Sequence, residues 1–296
     1  MRVVDLCTGA GYMSYGFQQA GYELHEGVDI WETALRTYEK YLPGTPIHAD
    51  LADYYPGRKD FDVVVIGGTP CDYFSLANKK RDIYHKKSQL VLDFCRIVNT
   101  IKPEMFVFEN VIHLSKWAEE ALKEIPGYKV TRNLPNSADY GVPQNRRRKI
   151  FIGSQTRHIS LKAPMVAKTT VRDAFNVITD NQGLSTHRPE TVEKFKLVTS
   201  DKWVNKNGNN YQGTVRLMWD SQAPAVTNYK KAQMLHPELD RVISRSEAMA
   251  LQGIPQWYIP VGSESDKAKQ VASAVPPLMS YGIAKQLTEL SQSTLM

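Results

Sequence analysis

Cysteine is scarce in this sequence, with three residues among 296. Cys7, Cys71 and Cys95 are odd in number and lack the spacing of metal ligands, so the sequence predicts neither a disulfide framework nor a zinc site. We therefore expect free thiols in a reducing compartment and no bound metal.

Long apolar runs, internal repeats and low-complexity tracts are absent as well. No run approaches the roughly 20 apolar residues that a membrane helix needs. The N-terminus opens directly into Val3-Val4-Asp5-Leu6 rather than into a signal sequence. With 42% hydrophobic and 23% charged residues, the chain can bury a full core. We expect a soluble, cytoplasmic, globular protein without a membrane partner.

The net charge of +6 is modest but unevenly placed. Residues 155–236 hold twelve Lys and Arg against six Asp and Glu, so the rest of the chain is close to neutral. Such asymmetry favours a polyanionic partner for this segment, although a lysine-rich solvated face would give the same count.

Residues 67–75 read Gly-Gly-Thr-Pro-Cys-Asp-Tyr-Phe-Ser and follow an apolar, β-branched run at 61–66. Such a run predicts a strand buried on both faces of a parallel sheet. Cys71 then lies past the carboxyl end of this strand, where ligands bind in open α/β sheets. A buried structural cysteine is the alternative. The placement favours a reactive thiol.

The N-terminal residues predict a strand (2–6), a glycine loop (7–12) and a helix from about Ser14. The third glycine of the dinucleotide fingerprint is misplaced and there is no Walker lysine, so the loop alone is a weak signal. Asp29 follows a second predicted strand and Asp50 a third. Two carboxylates at successive strand ends beside a glycine loop favour an adenosine-type ligand over simple helix caps.

Two further groups of polar residues border this sheet edge. Glu109 follows the apolar run at 105–108, which predicts another buried strand, and its alternative role is that of a helix N-cap neighbour. Residues 128–134 and 148–152 are predicted to pair as the last two strands. Between them, Arg146 and Arg148 would point the same way on an extended segment and could hold a carbonyl or phosphate.

The composition changes after Gly153, where Asn, Thr, Gln, Lys and isolated aromatics replace periodic patterns. We predict three regions: residues 1–155 as a catalytic and cofactor-binding domain, 156–262 as a smaller irregular target-recognition domain, and 263–296 as a C-terminal segment that returns to the first. Helices are predicted at 244–252 and at 278–290, the latter docking on the first domain.

Together these pieces resemble the DNA cytosine-5 methyltransferase family, in the family's order and over nearly the whole chain. The matching motifs are Asp5-Leu6 through Gly16-Phe17, Pro70-Cys71 with Phe74-Ser75, Glu109-Asn110-Val111, Gln144 with Arg146 and Arg148, Arg241 to Pro255, and Ala274-Val275-Pro276-Pro277.

The resemblance implies an α/β fold, a Rossmann-like S-adenosylmethionine-dependent domain with a mixed seven-stranded sheet plus a smaller target-recognition domain. It implies a monomeric enzyme that methylates a flipped cytosine in double-stranded DNA. The expected catalytic residues are Cys71 as nucleophile, Glu109 as acid, and Arg146 and Arg148 as electrostatic stabilisers. The expected cofactor contacts are Asp5, Cys7, Thr8, Gly9, Gly11, Tyr12, Asp29, Ile30, Asp50, Leu51, Pro70, Ser273 and Val275. The expected nucleic-acid contacts are Ser75, Gln144, Lys202, Lys206 and Arg216.

The sequence departs from the family pattern at four positions that border the cofactor or the catalytic loop. Cys7 stands for an aromatic residue, Tyr12 for a glycine, Asp72 for a glutamine and Ser273 for an asparagine. These departures bear on cofactor affinity and leave the catalytic residues intact. Two other functions stay open at this point: methylation of RNA, and a catalytically weak DNA-binding protein that keeps the scaffold.

Overall fold

The computed structural model describes residues 1–56, 63–70, 86–199, 213–230 and 233–292. The strands are β1 (Arg2–Leu6), β2 (Glu23–Asp29), β3 (Thr45–His48), β4 (Val63–Gly67), β5 (Met105–Val111), β6 (Lys129–Asn133), β7 (Gln144–Asn145), β8 (Arg148–Ser154), β9 (Thr214–Arg216), β10 (Ala223–Pro224) and β11 (Gln233–Leu235). The helices are α1 (Tyr12–Gln19), α2 (Glu32–Tyr41), α3 (Lys86–Ile101), α4 (Lys116–Lys123), α5 (Val171–Asn176), α6 (Pro189–Lys196), α7 (Arg245–Leu251), α8 (Glu264–Ser273) and α9 (Pro277–Gln292). A 3₁₀ helix spans Ser137–Tyr140.

Seven strands form the main sheet, in the order β3-β2-β1-β4-β5-β8-β6. The first five are parallel, and β8 runs antiparallel to both of its neighbours, β5 and β6. The predicted α/β fold with a mixed seven-stranded sheet is therefore confirmed. Strand order reverses between β1 and β4, which is where a doubly wound sheet opens a crevice for ligands.

Burial explains why the central strands read as apolar runs. Every residue of β4 is buried, as expected where helices cover both faces of a parallel sheet. Phe94 of α3 meets Phe108 of β5 edge to face, with ring centroids 4.9 Å apart. On β8, a side chain at Gly153 would collide with the ring of Phe106. The glycine thus lets the β5–β8 pair close over its aromatic core.

The described chain forms two compact units. Unit 1 comprises residues 1–136, 147–164 and 280–296, and unit 2 comprises 137–146 and 165–279. The three functional domains remain a prediction.

From Ser280 onward, helix α9 belongs to unit 1 and makes hydrogen bonds to it. The Tyr22 hydroxyl donates to the Ala284 carbonyl at 3.4 Å. The Gln286 amide bonds the backbone of Lys162 twice, accepting from its N–H at 2.8 Å and donating to its carbonyl at 3.0 Å.

In the described part of the chain, no helix has both the length and the apolar character needed to span a membrane. The same residues contain no group of three or more His, Cys, Asp or Glu side chains that could hold a metal ion.

Candidate active site

The loop after β1 is folded tightly by left-handed backbone conformations at Cys7, Gly9 and Gly11, with φ of 57°, 56° and 78°. Asp29 fastens this loop to the end of β2. One of its carboxylate oxygens accepts the Gly9 N–H at 2.7 Å, and the other accepts the Trp31 N–H at 2.7 Å. Burial raises the pKa of the Asp29 carboxyl. Asp29 therefore joins two strand ends at the edge where a ligand was predicted.

Asp5, a residue of β1, accepts two side-chain hydrogen bonds from the same loop and the start of α1. It is 1% exposed, and one carboxylate oxygen accepts both the Thr8 hydroxyl at 2.8 Å and the Ser14 hydroxyl at 2.5 Å. Burial raises the pKa of Asp5 to about 7, against an ordinary 3.8. One oxygen of the buried Asp5 carboxyl thus accepts the loop's own hydroxyls, and the predicted contact of Asp5 with the cofactor stays a prediction.

Changing Asp5 to asparagine should weaken the pH dependence of stability. Between its ordinary pKa of 3.8 and its folded pKa of about 7, the folded state keeps a proton that the unfolded state has released. This stabilisation is fully present below the lower value and is lost as pH rises to the higher one, by at most about 1.4 kcal/mol per pH unit.

Urea unfolding at about pH 5 and about pH 7 measures the effect. Wild type should lose more stability than Asp5→Asn between these values. Asp53→Asn, at an exposed position, should keep the wild-type slope. Equal slopes in all three proteins would contradict the assignment.

Residues around Asp29 and Asp50 divide into exposed and buried ones. The Ile30 side chain is 63% exposed beside Asp29, whereas the side chains of Leu51 and Tyr12 are buried. Leu51 belongs to the core cluster around β1 and β4, so only its backbone is available to a ligand. Burial raises the pKa of the Cys7 thiol well above its ordinary value, so Cys7 is uncharged.

On the other side of the crevice, the segment after β4 is fixed against β5. A Cβ at Gly68 would lie 2.8 Å from the Glu109 carbonyl oxygen and 2.9 Å from its carboxylate, so only glycine fits. The Asn110 amide donates to the Thr69 carbonyl at 3.0 Å and to its hydroxyl at 3.2 Å. This segment leads through Pro70, which is exposed, to Cys71, which lies outside the described residues.

Glu109 and Arg148 form an ion pair near the end of β5. The distance from Arg148 Nε to Glu109 Oε1 is 2.8 Å, and the two side chains are 14% and 13% exposed. Glu109 lies inside β5, paired with Ile150 of β8, rather than after the strand. A helix-cap role for Glu109 is thus excluded. The Glu109–Arg148 ion pair therefore borders the segment after β4, and this segment continues towards Cys71.

Arg146 and Gln144 are engaged within unit 2 instead. The Arg146 guanidinium donates to the carbonyls of Val226 at 2.9 Å and Ala272 at 3.0 Å. The buried Gln144 amide donates to Leu251 and Gln252 and accepts the Val226 N–H at 2.8 Å. Both side chains thus make hydrogen bonds within unit 2, and the catalytic role of Arg146 and the DNA contact of Gln144 stay predictions.

Arg216 is also used internally. Its guanidinium donates to Asp240 at 2.8 Å and to the carbonyls of Phe195, Val198, His236 and Leu239. The Arg216 side chain is 11% exposed. Its predicted contact with DNA stays a prediction.

A model of the C-5 cytosine-specific DNA methylase family matches residues 1–289. The chain belongs to this family. Type II methyltransferase M.HgiDI of Herpetosiphon aurantiacus is 30% identical to the methylase over 308 residues, covering 97% of this chain and 94% of the relative. Type II methyltransferase M1.HphI of Haemophilus parahaemolyticus is 29% identical over 326 residues, covering 98% and 87%.

Solved structures share the fold. A DNA modification methyltransferase encoded within an E. coli prophage matches with a TM-score of 0.82 at 21% identity, covering 99% of both chains. The S. pombe Dnmt2 methyltransferase matches with a TM-score of 0.67 at 16% identity, covering 98% of the methylase and 99% of that chain. The methylase is a DNA (cytosine-5-)-methyltransferase, and its family and fold imply an S-adenosylmethionine-dependent reaction.

The remaining predicted site residues of the methylase fall into two groups. Ser273 ends α8, where its hydroxyl donates to the Gln270 carbonyl at 3.1 Å, and Val275 follows between α8 and α9. Both belong to unit 2. Ser75, Lys202 and Lys206, like Asp72, lie outside the described residues, so their roles stay predictions.

Sequence reasoning missed two supports of the site. His48 Nε2 lies 3.0 Å from the Ile30 carbonyl oxygen, which links β3 to the residue after Asp29. Thr69 accepts the Asn110 amide, as described above. Neither residue stands out in sequence, because a single histidine or threonine at a strand end is common. The position of Asn110 directly after Glu109 was the one available signal.

Proposed function

We propose that the methylase extrudes a cytosine from double-stranded DNA, adds the Cys71 thiolate to carbon 6, and methylates carbon 5 within a specific base sequence. The Glu109–Arg148 ion pair, beside the segment that leads to Cys71, is the observation that carries the proposal. Extrusion is needed because carbon 6 is stacked inside the duplex.

The residue types suit this chemistry. Carbon 5 of cytosine is too weak a nucleophile on its own, so the Cys71 thiolate bonds carbon 6 and the displaced π electrons become available at carbon 5. After methylation a base such as water takes the carbon 5 proton, the electron pair of that C–H bond restores the ring double bond, and the carbon–sulfur bond breaks to return the thiolate to Cys71. Glu109 shares a proton with ring nitrogen 3, which removes the charge that builds up there.

Arg148 has an electrostatic part in this proposal. Its guanidinium, oriented by Glu109, would hold the carbonyl oxygen of the base and stabilise the adduct. A planar guanidinium can bind a carboxylate on one edge while other N–H groups face a second acceptor. Arg148 Nη1 already donates to the Arg147 carbonyl at 2.8 Å, which fixes the plane further.

The glycine loop fits S-adenosylmethionine. A Cβ at Gly9 would meet no atom within 4 Å, so the space beside this backbone is open. Asp29 would take the ribose hydroxyls and Asp50 the adenine amine, with the exposed Ile30 beside the ring. When bound, S-adenosylmethionine supplies an electrophilic methyl group.

DNA affinity and sequence choice are assigned to residues 155–236. The motivation is their net charge of +6 and interleaved aromatics. Lys202 and Lys206 are the expected phosphate contacts, and each should contribute salt-dependent, sequence-independent affinity. The Type II names of the relatives support a role in restriction-modification.

Two assays test the proposed function. Purified methylase with radiolabelled S-adenosylmethionine should label double-stranded DNA and not RNA. Methylome sequencing of cells expressing the chain should show 5-methylcytosine in one short sequence context, absent from cells with empty vector. Label in RNA alone, or no label with either substrate, would refute the proposal.

A further inference from the structure

The turn after Asp50 is held from outside by Arg96, a residue of α3. Arg96 Nη2 donates to the Leu51 carbonyl at 2.6 Å and to the Ala52 carbonyl at 3.4 Å. Arg96 Nη1 donates to the Tyr54 carbonyl at 3.0 Å. The Arg96 guanidinium thus donates hydrogen bonds to three carbonyl groups among the four residues that follow Asp50.

The turn itself explains why a cation is needed there. The backbone N–H of Asp53 donates to the Asp50 carbonyl at 3.0 Å, and that of Tyr54 to the Leu51 carbonyl at 3.3 Å. Such a turn directs carbonyl oxygens towards one end, where a donor from outside can reach them. The Leu51 carbonyl accepts both the Tyr54 N–H and Arg96, and the fixed fork of the guanidinium also reaches the carbonyls of Ala52 and Tyr54.

Two aromatic residues of the turn add to this attachment. The Tyr55 ring lies against the guanidinium, 4.5 Å from its centre, although 74% of the residue is exposed. The Tyr54 hydroxyl donates to Glu26 of β2 at 2.6 Å. Burial, and then the Glu26 carboxylate, raise the pKa of Tyr54, so this hydroxyl keeps its proton. The turn is therefore fixed to α3 and to β2.

Asp50 begins this turn. Its carboxylate oxygen Oδ1 accepts the N–H of Ala52 at 3.1 Å, so the carboxylate moves with the backbone that Arg96 holds. We propose that Arg96 is a positioning residue for the cofactor: it fixes the turn at 51–55 so that Asp50 faces the adenine amine. This inference rests on the proposed function, which gives Asp50 that ligand.

Calorimetry with S-adenosylhomocysteine tests the inference. Arg96→Met should weaken binding about tenfold, Arg96→Lys should restore part of the affinity, and Arg36→Met, at an exposed position on α2, should leave it unchanged. Arg96→Met should raise KM for S-adenosylmethionine and leave kcat at saturation within about twofold, because the chemistry uses other residues.

A double-mutant cycle separates positioning from general stability. If Arg96 acts through Asp50, Arg96→Met should add no further loss to Asp50→Ala. A ligand whose purine carries a carbonyl in place of the amine should bind wild type and Arg96→Met alike. Thermal unfolding of each variant shows whether the fold survives, and Arg96→Lys serves if Arg96→Met does not fold.

The inference is overturned if Arg96→Met and Asp50→Ala weaken binding additively. It is also overturned if Arg96→Met weakens binding of the carbonyl-bearing ligand as much as that of S-adenosylhomocysteine, or if it leaves KM for S-adenosylmethionine unchanged. An Asp50→Ala protein that binds S-adenosylhomocysteine normally would overturn it as well, since Arg96 would have nothing to act through. The proposed function is tested separately by wild type, which must bind S-adenosylhomocysteine and methylate DNA whatever Arg96 does.

Discussion

Replacing Cys71 with alanine is expected to abolish methyl transfer while the protein stays folded. The thiolate is the one nucleophile proposed for carbon 6, and without it carbon 5 is not activated. Loss of a covalent nucleophile costs on the order of 10⁴-fold or more in rate. Tritiated methyl transfer to DNA measures this loss directly.

Covalent trapping sharpens the test. DNA with 5-fluorocytosine at the target should form a stable complex with wild type, because fluorine cannot leave as a proton does. Cys95→Ala is the matched control: the Cys95 thiol is buried in α3, 3.7 Å from the Ala121 carbonyl oxygen, and burial raises its pKa to about 12. This variant should still trap DNA. Substantial methyl transfer by the Cys71→Ala protein would contradict the assignment of Cys71 as the nucleophile.

Glu109→Gln is expected to lower kcat by roughly 10²–10⁴-fold, the usual contribution of a positioned acid or base. The amide keeps the size and one oxygen of the carboxyl group, but it carries no charge to pair with Arg148 and cannot transfer a proton to or from ring nitrogen 3. DNA affinity should change little, because the substitution touches no proposed phosphate contact.

Single-turnover methylation and a DNA-binding titration separate these effects. The control is Glu120→Gln, which changes an exposed glutamate on α4. It should match wild type in both measurements. Parallel losses of rate and DNA affinity in Glu109→Gln would instead indicate a general disturbance of the site.

Local sequence patterns predicted the strands that build the site. The bounds of β1 agree with the expectation, and β8 pairs with β6 as expected. Among these strands, β1 and β8 carry runs of apolar residues that the sheet buries. The prediction for β5 ended too early, because Glu109 and Asn110 remain in the strand by pairing with β8, which sequence alone does not show.

The arginines show where local patterns stop being informative. Side chains alternate between the two faces of an extended segment, so the sequence predicted that Arg146 and Arg148 share a face. In the structure β7 ends at Asn145 and β8 begins at Arg148, so no continuous strand contains both arginines. The partners of Arg146 lie 80 and 126 residues away along the chain. A guanidinium that binds distant carbonyls has no signature in a single sequence.

The contribution of α9 to unit 1 has a consequence during synthesis. Residues 1–136 are made early, yet the surface around Tyr22, whose hydroxyl bonds the Ala284 carbonyl, stays uncovered until α9 has left the ribosome. At roughly 5–20 residues per second, the interval between residue 136 and α9 lasts several seconds or more. During this interval chaperones can bind the uncovered surface of the nascent methylase. Its activity should begin only after α9 has left the ribosome.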